Sequence, residues 1–299
     1  MKLFWEKYSF NRKYNLNTFR NTKNHNIFAN WNPYTRGLTY HNFLINFYVN
    51  LNKKKFINFK KKINNLNIGN APCILYDNKY HISYDDCVSF EEIKFLKKNF
   101  NVNKKLNIIE VGPGYGRSVE YLIKNYKVNK YVIIDYKNIL SLTRKYLRKT
   151  LAYRDYKKII FCNFEDFQFK KDFFKKKYIV EKFDLFINSD SFHEIEKIII
   201  KKYLRYFSSI CEVFFIKNAI AKYKIKDLVN HLSYQNIPKF NKNLGLNNEI
   251  INIFDNNKIQ IQIQRYLKRY NPYKKKVNVV YQLSEIYPST ILSLYINNK

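Results

Sequence analysis

Three of the six glycines in this 299-residue chain stand within five residues, as Gly112, Gly114 and Gly116. Glycine adopts positive φ without penalty and lets another group approach the backbone closely. A glycine-rich turn between a strand and a helix is the place where an α/β protein brings its backbone against a nucleotide cofactor. The first chemistry that these residues indicate is therefore cofactor binding.

The spacing of this turn separates the nucleotide cofactors from one another. Dinucleotide-binding loops follow GxGxxG and need the third glycine for helix–strand packing, but Arg117 takes that position here. This mismatch disfavours NAD. A phosphate-binding P-loop requires a Gly-Lys pair, and no glycine in the chain is followed by lysine. The sequence therefore excludes ATP binding by that route.

A second polar segment, which begins at Asn188 and ends at Glu194, contains His193. Imidazole takes up a proton near neutral pH, and a general base of this kind accelerates a reaction by about 10² to 10⁴. Glu194 or Asp190 are candidates to orient the ring. The alternative is that His193 and Glu194 only begin a helix, whose dipole favours an acid there. No metal site is predicted, because His193 and Asp190 lack a third ligand.

The elements around these residues predict an α/β core. Short apolar, β-branched runs alternate with segments whose apolar residues share one helical face. Strands that alternate with helices form a parallel sheet with right-handed crossovers, covered on both faces. We therefore predict a Rossmann-like, mostly parallel doubly wound sheet. Its predicted strands are 106–111, 131–135, 159–162, 183–188 and 212–216.

The rest of the chain extends this core on both sides. For residues 1–104 we predict a mostly helical cap, with helical stretches at 43–59 and 90–100. Residues 105–299 predict the cofactor domain, with its core at 105–218 and C-terminal edge strands and an insertion at 219–299. In that last part, the strict alternation of 259–264 and the β-rich run 277–281 predict two late strands.

The net charge of +32 is typical of proteins that bind nucleic acid or an anionic membrane. However, only 10 of the 55 basic residues are arginine, the residue that phosphate recognition favours, and the charge is spread along the chain. The lysine runs at 53–55, 60–62, 175–177 and 274–276 therefore predict solvated surface.

The cysteines and the hydropathy pattern indicate the compartment. The four cysteines contain no CxxC pair, so neither a zinc knuckle nor a disulfide framework is expected. The N-terminus lacks an apolar signal segment, and no 18 apolar residues run together. We expect a cytoplasmic protein with reduced thiols.

Glu110 precedes the glycines and Asp135 ends the following strand, 19 residues after Gly116. This ExGxGxG pattern with its acid resembles motif I and the ribose-binding acid of class I S-adenosylmethionine-dependent methyltransferases. The resemblance implies S-adenosylmethionine as the cofactor. It assigns Glu110 to the cationic amino-acid end, Asp135 to the ribose, Asn163 and Phe164 to adenine, and Asn188 and Ser189 to the methionine half. Tyr136, next to Asp135, is a further candidate for cofactor binding.

More of the chain resembles the sugar O-methyltransferases of bacterial polysaccharide gene clusters. The similar segments include 68–72, 109–117, 134–136 and 186–194, although Lys137 and Ile195 depart from the pattern. This resemblance implies that the acceptor is a hydroxyl of a sugar or of a cell-surface polysaccharide precursor. Candidate acceptor contacts in the cap are Trp5, Arg20, Arg36 and Tyr40.

Two other functions stay open at this point. An RNA or DNA methyltransferase would use the same loop and the basic surface, but the (N/D)PP(Y/F) turn of many such enzymes is absent, and Pro72-Cys73 precedes the loop. A non-catalytic binding module would keep the fold and lose motif residues. Here Glu110, the three glycines and Asp135 all remain.

Overall fold

The computed structural model contains both strands and helices. It describes residues 14–20, 38–63, 66–170, 172–223, 244–252, 254–273, 277–287 and 289–297. The strands are β1 (Cys73–Tyr76), β2 (Tyr80–Ser83), β3 (Leu106–Val111), β4 (Val128–Asp135), β5 (Ile159–Asn163), β6 (Phe183–Ser189), β7 (Cys211–Ala219), β8 (Lys222–Tyr223), β9 (Ile250–Ile251), β10 (Asn278–Leu283) and β11 (Thr290–Ile296). The helices are α1 (Leu38–Leu51), α2 (Lys53–Lys60), α3 (Tyr84–Asn99), α4 (Arg117–Asn125), α5 (Lys137–Thr150), α6 (Tyr153–Tyr156), α7 (Phe173–Tyr178), α8 (Lys197–Phe207) and α9 (Asn256–Arg269).

Seven of the strands form one sheet in the order β10-β11-β7-β6-β3-β4-β5. The five strands from β3 to β7 are parallel, β11 is antiparallel to β7, and β10 is antiparallel to β11. The chain moves from β3 to β4 on one side and later to β6 on the other, so β3 lies at the switch point of a doubly wound sheet. The predicted Rossmann-like, mostly parallel sheet is confirmed.

The sheet separates two apolar cores, because alternate side chains of each strand point to opposite faces. On β3, Leu106 and Ile108 contact the core shared with α3, α4 and α5, whereas Ile109 and Val111 contact the core shared with α7, α8 and α9. The carboxyl ends of the parallel strands therefore open between these two layers of helices.

Among the residues before the sheet that the structure describes, most of the regular structure is helical, as expected. Helices α1 and α2 overlap the predicted stretch 43–59, and α3 overlaps 90–100. The sequence analysis missed the hairpin of β1 and β2. Its turn residues Asp77 and Asn78 both have positive φ, 51° and 49°. Positive φ at both central residues is typical of a type I′ β-turn, which Lys79 N closes by donating to the Tyr76 carbonyl at 3.1 Å.

The prediction of a strand at 259–264 is wrong, because this segment lies within α9. Asp255 begins the helix by accepting a hydrogen bond from the Lys258 backbone N–H at 3.0 Å. Ile259 and Ile263 lie one turn apart on the buried face, while Ile261 is 51% exposed. An alternating pattern over six residues is too short to distinguish the period of a strand from that of a helix. The burial of Ile259 and Ile263 on one face shows that the helical period applies here. The late strand at 277–281 is confirmed as β10.

Two alanine substitutions test the helix α9. We expect Ile263→Ala to lower the free energy of unfolding by about 2–5 kcal/mol, since it empties a fully buried position. Ile261→Ala should change it by no more than about 0.5 kcal/mol. Urea unfolding of both variants measures the difference. Similar losses at both positions would indicate a strand, in which these two residues share a face.

Candidate functional site

The glycine turn connects β3 to α4 at the carboxyl edge of the sheet. Gly112, Gly114 and Gly116 have φ of 72°, 58° and 98°, a region that side chains other than glycine rarely adopt. A Cβ atom at Gly112 would lie 2.4 Å from Ser191 Oγ, and one at Gly116 would lie 2.9 Å from Thr143 Cγ2. The outer glycines are therefore required for close packing inside the protein.

Asp135 ends β4 and lies directly beside this turn. Its Oδ2 accepts a hydrogen bond from Gly114 N at 3.2 Å, and its Oδ1 accepts one from Tyr136 N at 2.8 Å. Burial raises the pKa of Asp135 to about 7, against the lowering effect of these two N–H groups. Each carboxylate oxygen has a second lone pair, so the group has the capacity to accept two further hydrogen bonds.

Asn163 ends β5, the next strand of the sheet, and Phe164 follows it. The Phe164 ring lies 5.2 Å from the Tyr136 ring, centroid to centroid. Asn163 Nδ2 donates to Glu165 Oε2 at 3.3 Å, but Asn163 Oδ1 is buried and accepts no hydrogen bond from the described residues. A buried acceptor without a donor costs about 1–3 kcal/mol, so this oxygen fits a ligand that brings an N–H group.

Glu110 lies near the end of β3 and is 1% exposed. Its Oε1 accepts from the Ser118 hydroxyl at 2.6 Å and its Oε2 from the Tyr131 hydroxyl at 2.7 Å. Burial raises the pKa of Glu110 to about 7, although both hydroxyl groups act to lower it. The carboxyl group thus has two protein donors, and its contact with a cofactor stays a prediction.

Asn188 and Ser189 end β6 and hold the polar segment in place. Asn188 Nδ2 donates to the carbonyl of Val111 at 2.9 Å, and its Oδ1 accepts from Asn218 Nδ2, also at 2.9 Å. Ser189 donates to Glu92 Oε1 at 2.7 Å. Both side chains therefore link the segment to neighbouring elements. Their proximity to a methionine half also stays a prediction.

His193 lies in a 3₁₀ turn, Phe192–Glu194, that is separate from α8. Its Nδ1 is 3.3 Å from Asn218 Oδ1, and its Nε2 is 3.4 Å from Glu194 Oε1. Since Asn218 Nδ2 donates to Asn188, Asn218 Oδ1 accepts from His193 Nδ1–H. This contact assigns the tautomer in which Nε2 is free to take a proton. Asn218 lies at the end of the neighbouring strand β7, too far along the chain to be recognised by spacing.

Lys222 is a second residue that the sequence analysis missed. Its Nζ donates to the carbonyl of His193 at 3.3 Å. Burial lowers the pKa of Lys222 to about 8, and the nearby Glu194 carboxylate opposes that shift. The turn with His193 is thus bounded by an amide, a carboxylate and a weakly basic amine.

Four charged side chains connect the turn after β6 to helix α3, and the three of them other than Asp190 are buried. Arg117 lies 3.3 Å from Glu92 Oε1, Lys217 Nζ lies 3.2 Å from the same oxygen, and Lys217 Nζ also pairs with Asp190 Oδ2 at 2.5 Å. Arg117 and Lys217 lower the pKa of Glu92 against the effect of its burial. Arg117, which replaces the third glycine of the dinucleotide pattern, therefore pairs with Glu92. Asp190, a candidate to orient His193, pairs with Lys217 instead.

Asp190 itself adopts a left-handed conformation, with φ of 61°. Its backbone N–H donates to the carbonyl of Lys217 at 2.7 Å, and its carboxylate pairs with the Lys217 ammonium group. Aspartate tolerates this region better than most residues do. Lys217 therefore holds both the main chain and the side chain of Asp190 at the start of the turn.

Of the four candidate acceptor contacts, neither of the two that the structure describes contacts the 3₁₀ turn. Trp5 and Arg36 lie outside the described residues. Arg20 pairs with Asp85 at 2.8 Å and its guanidinium lies over the Tyr115 ring, 5.5 Å from the centroid. Tyr40 lies on the exposed side of α1. Among the described residues, no group of three or more His, Cys, Asp or Glu side chains is arranged to hold a metal ion.

The chain matches no protein-family model and no curated protein. Among solved structures, it is similar to the methyltransferase domain of bacterial CtHen1, with 9% identity over 69% of this chain and 98% of that one and a TM-score of 0.45. It is also similar to an O-methyltransferase family 2 protein from Planctomyces limnophilus in complex with apigenin, with 10% identity over 71% of this chain and a TM-score of 0.45. The similar region is 58% of that protein's length. Identities this low carry no information on the activity or acceptor of this chain.

Substitutions of the adjacent residues Glu91 and Glu92 test how much the buried charges contribute to stability. At pH 6 we expect Glu92→Gln to lower the free energy of unfolding by about 3–5 kcal/mol, because Arg117 and Lys217 lose their shared buried partner. Glu91→Gln is the matched control. Burial raises the pKa of Glu91 to about 7, so at pH 6 its carboxyl is mostly neutral and glutamine replaces it with a loss below about 1 kcal/mol. Urea unfolding compares the two, and equal losses would contradict the network.

Proposed function

We propose that this chain is a class I S-adenosylmethionine-dependent O-methyltransferase whose acceptor is a hydroxyl group of a sugar or polysaccharide precursor. The observation that carries the cofactor is the contact between Asp135 and Gly114 at the switch point of the sheet. The sugar acceptor rests on the sequence resemblance alone.

The residues at this edge of the sheet fit S-adenosylmethionine. Asp135 has the free lone pairs to accept two ribose hydroxyl groups. The unpartnered Asn163 Oδ1 suits the exocyclic amine of adenine, with Phe164 and Tyr136 as apolar walls. Arg117, the cation next to the glycine turn, is buried against Glu92. A cofactor without a pyrophosphate suits this turn better than NAD does.

The residues of the 3₁₀ turn support hydroxyl activation. When bound, S-adenosylmethionine supplies an electrophilic methyl group. His193 Nε2 takes the proton of the acceptor hydroxyl, since Asn218 holds the proton of the other nitrogen in place. Glu194, 3.4 Å from Nε2, then stabilises the imidazolium ion. Asn188 and Ser191 anchor this turn to Val111, at the base of the glycine turn.

Calorimetric titration with S-adenosylhomocysteine tests the cofactor. We expect micromolar binding and no binding of NAD. The affinity should rise as the pH rises through 7, because the pKa of Asp135 is about 7 and its ionised form accepts hydrogen bonds better. Asp135→Asn should remove this rise. Glu110→Gln is the comparison that shows which carboxyl group causes the rise, since the pKa of Glu110 is also about 7.

Two results would contradict the cofactor assignment. One is the absence of S-adenosylhomocysteine binding to the folded protein. The other is an unchanged pH dependence in Asp135→Asn together with its loss in Glu110→Gln, which would transfer the titration to Glu110.

Replacement of His193 tests the role of the turn. We expect His193→Ala to keep the affinity for S-adenosylhomocysteine and to lower kcat by about 10² to 10⁴. Transfer of a radiolabelled methyl group to a panel of nucleotide sugars and glycans measures kcat, with His81→Ala in the β1–β2 hairpin as the control. Unchanged turnover would remove His193 from the mechanism. Labelling of RNA instead of sugars would favour a nucleic-acid methyltransferase.

A further inference from the structure

Helix α1 is apolar on both sides. Its inner face buries His41, Ile45, Tyr48 and Val49, each at most 4% exposed. Its outer face carries four large apolar side chains at i, i+3, i+7 and i+11. They are Tyr40, Phe43, Phe47 and Leu51, and they are 53%, 63%, 52% and 67% exposed. We call these four residues the α1 stripe.

The composition of α1 differs from that of the rest of the chain. A quarter of all residues are charged, yet the 14 residues of α1 include none. The rings of Phe43 and Phe47 stack on each other in the outer face, 5.8 Å apart. Large apolar side chains exposed together on one helix face, here beside the polar Asn42, Asn46 and Asn50, are typical of a surface that protein or lipid covers. The exposed α1 stripe is therefore a candidate docking surface.

Basic residues follow the stripe directly. Lys53, Lys54 and Lys55 begin α2 and are all exposed, and Lys61 and Lys62 at its end are also exposed. Aromatic side chains beside a cluster of lysines are the combination by which peripheral proteins bind anionic membranes. The rings enter the interface between headgroups and acyl chains, while each lysine adds attraction to the negative surface.

We propose that the α1 stripe, together with Lys53–Lys55, docks on the surface of an anionic lipid bilayer. The net charge of +32 complements such a surface and opposes contact with a second copy of the chain. Four side chains are also fewer than the roughly 20–30 residues per partner of a standard protein interface. None of the described helices is long and apolar enough to cross a membrane, so the contact is peripheral.

Sedimentation with lipid vesicles tests this surface in the full chain. The vesicles contain either phosphatidylcholine alone or equal parts of phosphatidylcholine and phosphatidylglycerol. We expect binding to the anionic vesicles only. Phe43→Ser with Phe47→Ser should weaken it by at least about tenfold, since two exposed rings are lost. Glutamine at positions 53, 54 and 55 should weaken it on the order of 100-fold.

The chain offers matched controls for both variants. Ile198→Ser removes an exposed apolar side chain from α8, where Ile198 is 66% exposed. Glutamine at Lys175, Lys176 and Lys177 removes the same charge from α7, where these lysines are exposed. Both should change binding by less than about threefold.

Three outcomes would overturn the proposal. Wild-type binding by the double serine variant would mean that diffuse charge alone attracts the vesicles. Equal losses from the two lysine triads would mean the same. Sedimentation equilibrium that shows a dimer, which the double serine variant converts to a monomer, would assign the stripe to a second copy.

Discussion

The buried charges of Arg117, Glu92 and Lys217, together with the half-buried Asp190, tie together the elements around the open edge of the sheet. Each comes from a different element: the helix after the glycine turn, helix α3 of the N-terminal region, strand β7, and the turn after β6. Charges taken out of water are tolerated only when each has a close partner. Because the partners are shared, none of these elements moves without exposing a charge. The shape of the edge therefore depends on this network.

The glycine turn obeys a second constraint, which is steric. Ser191 occupies the space beside Gly112, and Ser191 also donates to the carbonyl of Val111. The turn after β3 and the turn after β6 are thus packed directly against each other. The cofactor held by Asp135 and the proton acceptor at His193, as we propose them, would therefore lie in neighbouring loops at one edge of the sheet.

The core of the fold was predictable because its signals are local. Each parallel strand is built on a short apolar run, and each glycine among the described residues has a positive φ. The prediction of a strand at 259–264 was wrong because these six residues fit the period of a strand as well as that of a helix. Only the burial of Ile263 in the core shared with α7, α8 and α9 distinguishes the two.

The partners of the candidate site were not predictable in the same way. Asn218 and Lys222 come to His193 from the end of β7 and from β8, through the order of strands in the sheet. Glu92 reaches the edge from helix α3, nearly a hundred residues before Ser189 in the chain. The spacing of residues along the sequence does not predict such contacts, because they form only when the helices pack against the sheet.

A crystal structure of the protein with S-adenosylhomocysteine would test the central claim most directly. We expect the ribose hydroxyl groups within hydrogen-bond distance of Asp135 and the adenine amine beside Asn163 Oδ1, with Arg117 still paired to Glu92. A ligand bound away from the edge formed by β3, β4 and β5, or an Arg117 that leaves Glu92 to contact the ligand, would contradict it.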